Sequence, residues 1–463
     1  MSFSRSSFWV LIGSIFVSAV FPLEPHQTKT VEVSSGPGKA WRQLETRTLD
    51  DLPKFKRDTR TNRYGGRTVK DAEPTGFFHT DLIDGRWWLR DPDGMPYVAR
   101  GVTSVRMTKT KNANKALEEK FGGRKKWASS TVGLLKEYGF NGIGPWSDLN
   151  AINHDGWEVG GSEIAYTPNW GFMAAYGRQR GGTKMASGHL AYPGDCPFIF
   201  DPEFEPFCKR YAERLAPTKN DPWLLGHFTD NEMPWHIKML DRYLDLPKKD
   251  PGYRAARKWV LDNKIKKPFQ DRDRARFVGF AADVYFKTVC RAIRKHDPNH
   301  MILGSRFHGS CLRIPELFEA AGKHVNVVSV NYYKVWTPEL ERLASWAQNA
   351  DKPILITEWY AKAVDSGMGN TSGAGWLVKT QQDRADFYQN FTLALLESKA
   401  CVGWHWFRYS DNDLNQKGVD PSNLDANKGI VTSLYEPYET LLEGMKSVNQ
   451  RCYRIVKHFD KRS

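Results

Sequence analysis

Leu224–Trp235 reads LLGHFTDNEMPW. An apolar run gives way to Thr229-Asp230-Asn231-Glu232 and then to an aromatic residue, Trp235. A second stretch, Pro353–Tyr360 (PILITEWY), answers it, with Glu358 at the end of another apolar run. Each stretch sets one glutamate at the C-terminal end of a short strand. In a (β/α)8 barrel that end of the strands carries the chemistry. Two carboxylates there are what cleavage of a glycosidic bond requires, one as acid and one as nucleophile or base. A single glutamate after an apolar run is as readily an ordinary strand-end charge. Two of them, inside the repeating pattern that surrounds them, point to catalysis.

That pattern is short apolar strand, loop, amphipathic helix, which predicts a parallel α/β arrangement. Strands are expected at Tyr97–Val105, Gly139–Gly144, Ile164–Pro168, Leu224–Thr229, Met301–Arg306, Val325–Tyr332, Ile354–Thr357 and Val402–Phe407. Helical periodicity lies between them at Thr131–Tyr138, Pro206–Leu215, Arg276–His296, Ile314–Ala321, Pro338–Ala350 and Gln381–Ser398. Eight strands with interposed helices make the count of a closed barrel. The expected fold class is therefore α/β, a (β/α)8 TIM barrel over residues 96–455. A short N-terminal β-hairpin element at 76–95 precedes it, with turn signals at Asp84-Gly85 and Asp91-Pro92-Asp93-Gly94. Residues 23–75 are polar and read as an extended arm without compelling elements of its own. Long loops should overhang the active face. Ser147–Phe204, Gly-rich and aromatic, is the longest, and it reads as a cleft wall carrying Trp157, Tyr166, Trp170, Phe172, Tyr176, His189 and Tyr192.

Composition narrows the partners. The chain has 463 residues, 40% hydrophobic and 26% charged, the make-up of an ordinary globular protein. Its 17 Trp, 18 Tyr and 25 Phe serve either as core filler or as flat platforms for sugar rings. The formal net charge is +14. No nucleic-acid motif accompanies it and the basic residues are dispersed, so nucleic acid is not the expected partner. A positive field also suits a polyanionic polysaccharide. The cluster Glu118–Lys126 reads as a solvated helix-loop face. None of the six cysteines forms a CxxC pair, which speaks against a zinc site. Cys196 and Cys208 are close enough to permit a loop-closing disulfide, whereas Cys290 and Cys401 sit in apolar contexts and read as buried thiols. At the N-terminus one Arg precedes an apolar run from Phe8 to Phe21. Residues 1–22 fit an export signal better than a membrane span, which predicts a secreted or periplasmic protein without stable membrane insertion after signal removal.

At several of these places the chain resembles the clan A retaining glycoside hydrolases and, more narrowly, glycoside hydrolase family 50, the β-agarase family. TGFFHTDLIDGRWWLRDPDGMPYVARGVTSV (Thr75–Val105) resembles that family's entry into its barrel, and DCPFIFDPEFE (Asp195–Glu205) the loop before its acid-bearing strand. GHFTDNEMPW (Gly226–Trp235) resembles its acid/base motif and PILITEW (Pro353–Trp359) its nucleophile strand. VGWHWFRYSDND (Val402–Asp413), ANKGIV (Ala426–Val431) and EPY (Glu436–Tyr438) resemble its closing strand and C-terminal segment. The likeness runs through most of residues 50–455. Three departures stand out. Met-Pro-Trp-His follows Asn231-Glu232 where the family carries an apolar or Ser-Trp-Gly ending. Trp359-Tyr360 stand where agarases carry Phe-His. Asn412–Asn427 is Lys/Asp/Asn-rich where the family has a Gly-rich loop.

The resemblance implies a secreted retaining hydrolase of β-galactosidic bonds in an algal galactan of agarose, porphyran or carrageenan type. The alternatives are a clan A hydrolase of another polysaccharide and a non-catalytic carbohydrate-binding barrel; the presence of both glutamates disfavours the last. Glu232 is then the acid/base, expected to have a raised pKa, and Glu358 the ionised nucleophile. Asn231 is expected to bond the sugar hydroxyl beside the anomeric centre. Tyr332 or Tyr333 ends the sixth strand, and Tyr332 is preferred as donor to the nucleophile. Trp406 on the eighth strand is the expected sugar platform. Arg106, Trp146, Arg306, His308, Trp235 and Trp359 are further cleft candidates. His308 reads as a hydrogen-bonding wall rather than a metal ligand. No metal or cofactor is expected, since the two-carboxylate mechanism needs neither.

Overall fold

The computed structural model describes residues 29–70, 72–152, 163–185, 189–415 and 421–461. The expected export signal and Trp157 lie outside the described residues. The chain is a mixed α/β protein around a parallel sheet. Six strands lie in the spatial order Val328–Asn331, Ile354–Glu358, Cys401–Trp406, Ala99–Val102, Gly142–Ile143 and Ala165–Tyr166, every neighbouring pair parallel. Two further strands, Gly226–His227 and Met301–Ile302, form a parallel pair of their own. Isolated parallel bridges tie that pair to both ends of the six: Tyr166 to Leu224 and Asn169 to Phe228 on one side, Phe307 to Val330 on the other. Tyr166 N donates to Trp223 O at 3.0 Å, and Asn331 N to Phe307 O at 2.8 Å.

All eight expected strands therefore have a counterpart, though most are shorter than their apolar runs. Ile354–Glu358 and Cys401–Trp406 are buried at every position. A strand covered on both faces shows a continuous apolar run rather than alternation. Two of the long crossover helices begin with side chains that meet the helix's free N–H groups. Asp271–His296 opens on a Gln270/Asp273 capping box and carries Arg294, Lys295 and His296 in its last turn, where the helix dipole favours cations. Gln381–Glu397 opens on the Thr380/Asp383 box. The expected helix at Thr131–Tyr138 starts earlier, at Arg124, because Gly122 ends the preceding helix in the left-handed region (φ 65). The Glu118–Lys126 charge cluster is thus shared between the two helices.

The arm contributes structure of its own. Thr30–Ser34 and Arg42–Glu45 pair antiparallel, and Thr30–Ser34 also pairs with Trp376–Val378. Trp376–Val378 in turn lies parallel to Ala361–Ala363. The arm is thereby pinned onto the segment directly after Glu358. His79–Ile83 and Arg86–Arg90 form the entry hairpin, joined by Pro96–Tyr97. Cys196 and Cys208 are not bonded to each other; both are buried free thiols, Cys208 inside the helix Phe204–Tyr211. Among the described residues no helix is long and apolar enough to cross a membrane.

Candidate active site

Glu232 and Glu358 come together at the C-terminal ends of their strands. Glu358 closes the strand Ile354–Glu358, in register with Asn331 on the neighbouring strand. Its Oε1 accepts from Arg306 Nη2 at 2.5 Å and its Oε2 from the Tyr333 hydroxyl at 2.8 Å. Glu232 Oε1 accepts from Asn331 Nδ2 at 2.7 Å, and its Oε2 lies 2.8 Å from His189 Nε2. Asn331 links the two halves. Its Oδ1 accepts from the Thr357 hydroxyl at 2.7 Å and from Arg306 Nε at 3.4 Å, which orients its amide toward Glu232. Arg306 Nη2 also donates to Thr357 O at 3.1 Å. Trp146 covers the guanidinium, with its ring centroid 4.5 Å away.

The backbone here is unusual. Ser104, Trp146, Glu232 and Arg306, each just beyond a parallel strand, have φ of 53°, 62°, 48° and 55°. Left-handed backbone at a non-glycine residue costs on the order of 1–3 kcal/mol and gathers where function over-determines the conformation. Beside Glu232, Asp230 is structural. It accepts from the N–H groups of Met173 and Ala174 and from the Tyr285 hydroxyl, so it caps the helix Phe172–Arg180. Burial pushes its carboxyl up to about 6.

The electrostatics reverse the expected order of the pair. Burial raises Glu358 to about 7, against the pull of Arg306 and with the charge of Glu232 adding to the rise. Burial would also raise Glu232, but the hydrogen bond from His189, the nearby His308 and the Asn331 amide draw it down to about 2. The physical reason is His189, a partner for Glu232 that the strand motifs did not reveal.

Several sequence-level assignments change in three dimensions. Tyr333, not Tyr332, donates to Glu358. Tyr332 turns away to pack edge-on against Trp346, its hydroxyl buried without a side-chain partner among the described residues. Trp406 is not an exposed platform. Side chains alternate along a strand, and His405 takes the inward position, where a Cβ on Gly101 would lie 2.5 Å from its ring. Trp406 points outward, fully buried, and donates to Lys428 O. Trp359 is core as well, stacked on Phe391 with centroids 4.1 Å apart. Trp235 is 3% exposed and packs on Tyr285 and Phe286. In the long loop, Phe172, Tyr176 and Tyr192 are buried, and His189 reaches the glutamate pair through a hydrogen bond. Trp146, 37% exposed, stands over the Arg306 guanidinium. The His308 ring lies parallel to that of His189 with centroids 6.5 Å apart. Asn231 is half-buried, with its Oδ1 3.5 Å from Asn331 Nδ2, and Arg106 is exposed. Asn331, absent from the sequence-level candidates, is the central connector.

One cluster among the described residues has metal-ligand spacing, contrary to expectation: His227, Asp297 and His300. Its members lie up to about 70 positions apart in the chain, which hid it. Hydrogen bonds occupy all its ring nitrogens. Trp170 donates to His227 Nδ1, both rings meet Asp297 Oδ2, and His300 Nε2 faces Asp221 O. This network ties the strand Gly226–His227 to the turn before Met301, and no hydrogen bond joins it to the glutamate pair among the described residues.

No family model matches the chain. β-Agarase B of Vibrio sp. (strain JT0107) is 26% identical over 534 residues, covering 91% of this chain and 54% of that protein. β-Agarase A of the same strain is 26% identical over 503 residues, covering 85% and 48%. The chain thus spans about half the length of these curated relatives. The crystal structure of BpGH50 superposes with a TM-score of 0.83 at 30% identity, covering 94% of this chain and 96% of that one. An agarase, AgWH50C, superposes with a TM-score of 0.70 at 24% identity over 85% and 66%, a likeness of fold. These likenesses place the chain in the class of glycoside hydrolases. Within that class, at 30% identity over nearly its whole length, it belongs to glycoside hydrolase family 50.

Proposed function

We propose that this protein cleaves β-galactosidic bonds of an agar-type galactan by double displacement, on a (β/α)8 barrel formed by the eight parallel segments and the isolated bridges between them. The observation that carries the reading is the convergence of Glu232 and Glu358, joined through Asn331 and Arg306. Glu358 attacks the anomeric carbon while Arg306 and Tyr333 aim its carboxylate. Glu232 protonates the leaving oxygen, then takes a proton from the water that releases the sugar. Asn231 faces the hydroxyl beside the anomeric centre, and Trp146 and His308 line the cleft. The apolar run at Phe8–Phe21 supports secretion. The net charge of +14 and the altered Asn412–Asn427 loop favour a sulfated galactan beside agarose itself.

The test is product release from agarose, porphyran and carrageenans, with β-glucan and β-mannan as controls, for the wild type, Glu232→Gln and Glu358→Gln. Release from at least one galactan, abolished in both variants, is the expected result. Early product keeping the β-anomer, read by proton NMR, fixes retention. Full turnover by both variants refutes the site.

A further inference from the structure

Both carboxylate oxygens of Glu232 are engaged. Asn331, whose amide does not titrate, holds Oε1, and an imidazole holds Oε2. The two partners also differ in access to water. His189 has a side chain 37% exposed, while that of Glu232 is 9% exposed. His189 leads into the short hairpin strand Leu190–Ala191, which pairs with Thr183–Lys184. It is thus anchored beside the glutamate pair with Nε2 on the carboxylate and part of its side chain exposed.

We propose that His189 is the proton partner of Glu232: a positioning residue that shares one proton with this carboxyl, aims it, and exchanges it with solvent between turnovers. The inference rests on Glu232 being the acid/base. When the proton moves from Nε2 to Oε2, an N–H bond breaks, an O–H bond forms, and a neutral imidazole remains. In the first displacement Glu232 passes that proton to the leaving oxygen as the C–O bond breaks and the Glu358 ester forms. In the second, water attacks the anomeric carbon, the ester bond breaks, and the water's proton returns to Glu232. The cycle consumes no proton. His189 decides only whether the proton is in place when substrate arrives.

The surroundings support sharing. Glu232 and Glu358 both face His189, so its positive form is attracted by two carboxyls. From the other elements His308, Arg306, Tyr333 and the buried Cys311 face the same pair. His308 and Arg306 oppose a second positive charge, which limits the pair to one shared proton. A proton shared by two groups leaves the pair at a higher pH than it would leave a lone carboxyl.

Two measurements decide the matter. Nitrogen-15 NMR follows the titration of His189 in the wild type and in Glu232→Gln, its resonance assigned by its loss in His189→Gln. The midpoint should fall by at least one pH unit when the carboxylate becomes an amide; an unchanged midpoint overturns the proposal. The second is the pH profile of kcat/KM on agarose oligosaccharides. His189→Gln keeps an amide donor without a titrating proton, so the basic limb should move down by at least one pH unit. A profile lowered uniformly, with its limbs in place, means a merely structural role and also overturns the proposal. If the wild type turns over no galactan, the functional reading fails, while the NMR titration still decides the His189–Glu232 pair.

Discussion

Arg306 places its Nη2 2.5 Å from Glu358 Oε1, joining the end of the Met301–Ile302 segment to the end of Ile354–Glu358. The arginine side chain is fully buried, with Trp146 and Phe228 over its guanidinium. A buried ion pair of this kind orients groups more surely than it stabilises the fold, but removing one partner strands a charge.

Arg306→Ala should therefore cost about 3–5 kcal/mol of stability, the range for breaking a buried pair. Arg306→Lys keeps the charge but loses the planar fork that reaches Glu358, Thr357 and Asn331 together. It should fold, with kcat reduced roughly 100-fold, the scale seen when an oriented donor is lost. Thermal melts and steady-state kinetics on the same preparations separate the two effects.

Tyr333→Phe and Tyr332→Phe should behave oppositely although the residues are adjacent. The Tyr333 hydroxyl donates to Glu358, so its loss should lower kcat by about 10- to 100-fold, less than loss of the charged donor. The Tyr332 hydroxyl is buried against Trp346 with no side-chain partner among the described residues, so removing it should leave kcat unchanged and stability within about 1 kcal/mol. A fall in kcat for Tyr332→Phe alone would reverse the assignment.

Glu358 gives the fold a pH dependence with a defined sign. Its folded pKa, about 7, lies above the ordinary glutamate value of 4.5. Such a group contributes stability that is fully present below pH 4.5 and lost as pH rises through 7. The loss is on the order of 3 kcal/mol, since each pH unit separating the folded from the unfolded value is worth about 1.4 kcal/mol. Glu358→Gln does not titrate, so its melting temperature relative to the wild type should climb between about pH 5 and 8, the window these values define. A constant difference across that range would show that Glu358 is ionised throughout.

The tryptophans should divide by burial. Trp359→Ala and Trp406→Ala empty core positions and should cost about 3–5 kcal/mol each. Trp146→Ala removes an exposed ring beside Arg306. It should leave the fold within about 1 kcal/mol and raise KM severalfold. Denaturant melts with kinetics on oligosaccharides read both outcomes.

Local pattern was enough for some of this protein. The apolar runs that lead to Glu232 and Glu358 are readable because a strand buried on both faces must be apolar along its length, so the polar residues that follow mark its end. The repeat of strand and helix and the hairpin signals at Asp84-Gly85 are equally local, set by neighbours a few positions apart. Tertiary structure decided which side chains meet. Whether Trp406 or His405 faces inward depends on strand parity against Gly101, and a one-residue difference exchanges core for cleft. Tyr333 displaced Tyr332 for the same reason. Asn331 looks like an ordinary polar residue in sequence, and His189 reads there only as one member of a long aromatic loop. They matter because the sheet brings Asn331 into register with Glu358 and because a hairpin 43 positions upstream sets His189 on Glu232. The order of the two carboxyl pKa values followed from those contacts. Proton affinity is set by charges and donors within a few ångströms, and across such sequence separations only the fold brings them that close.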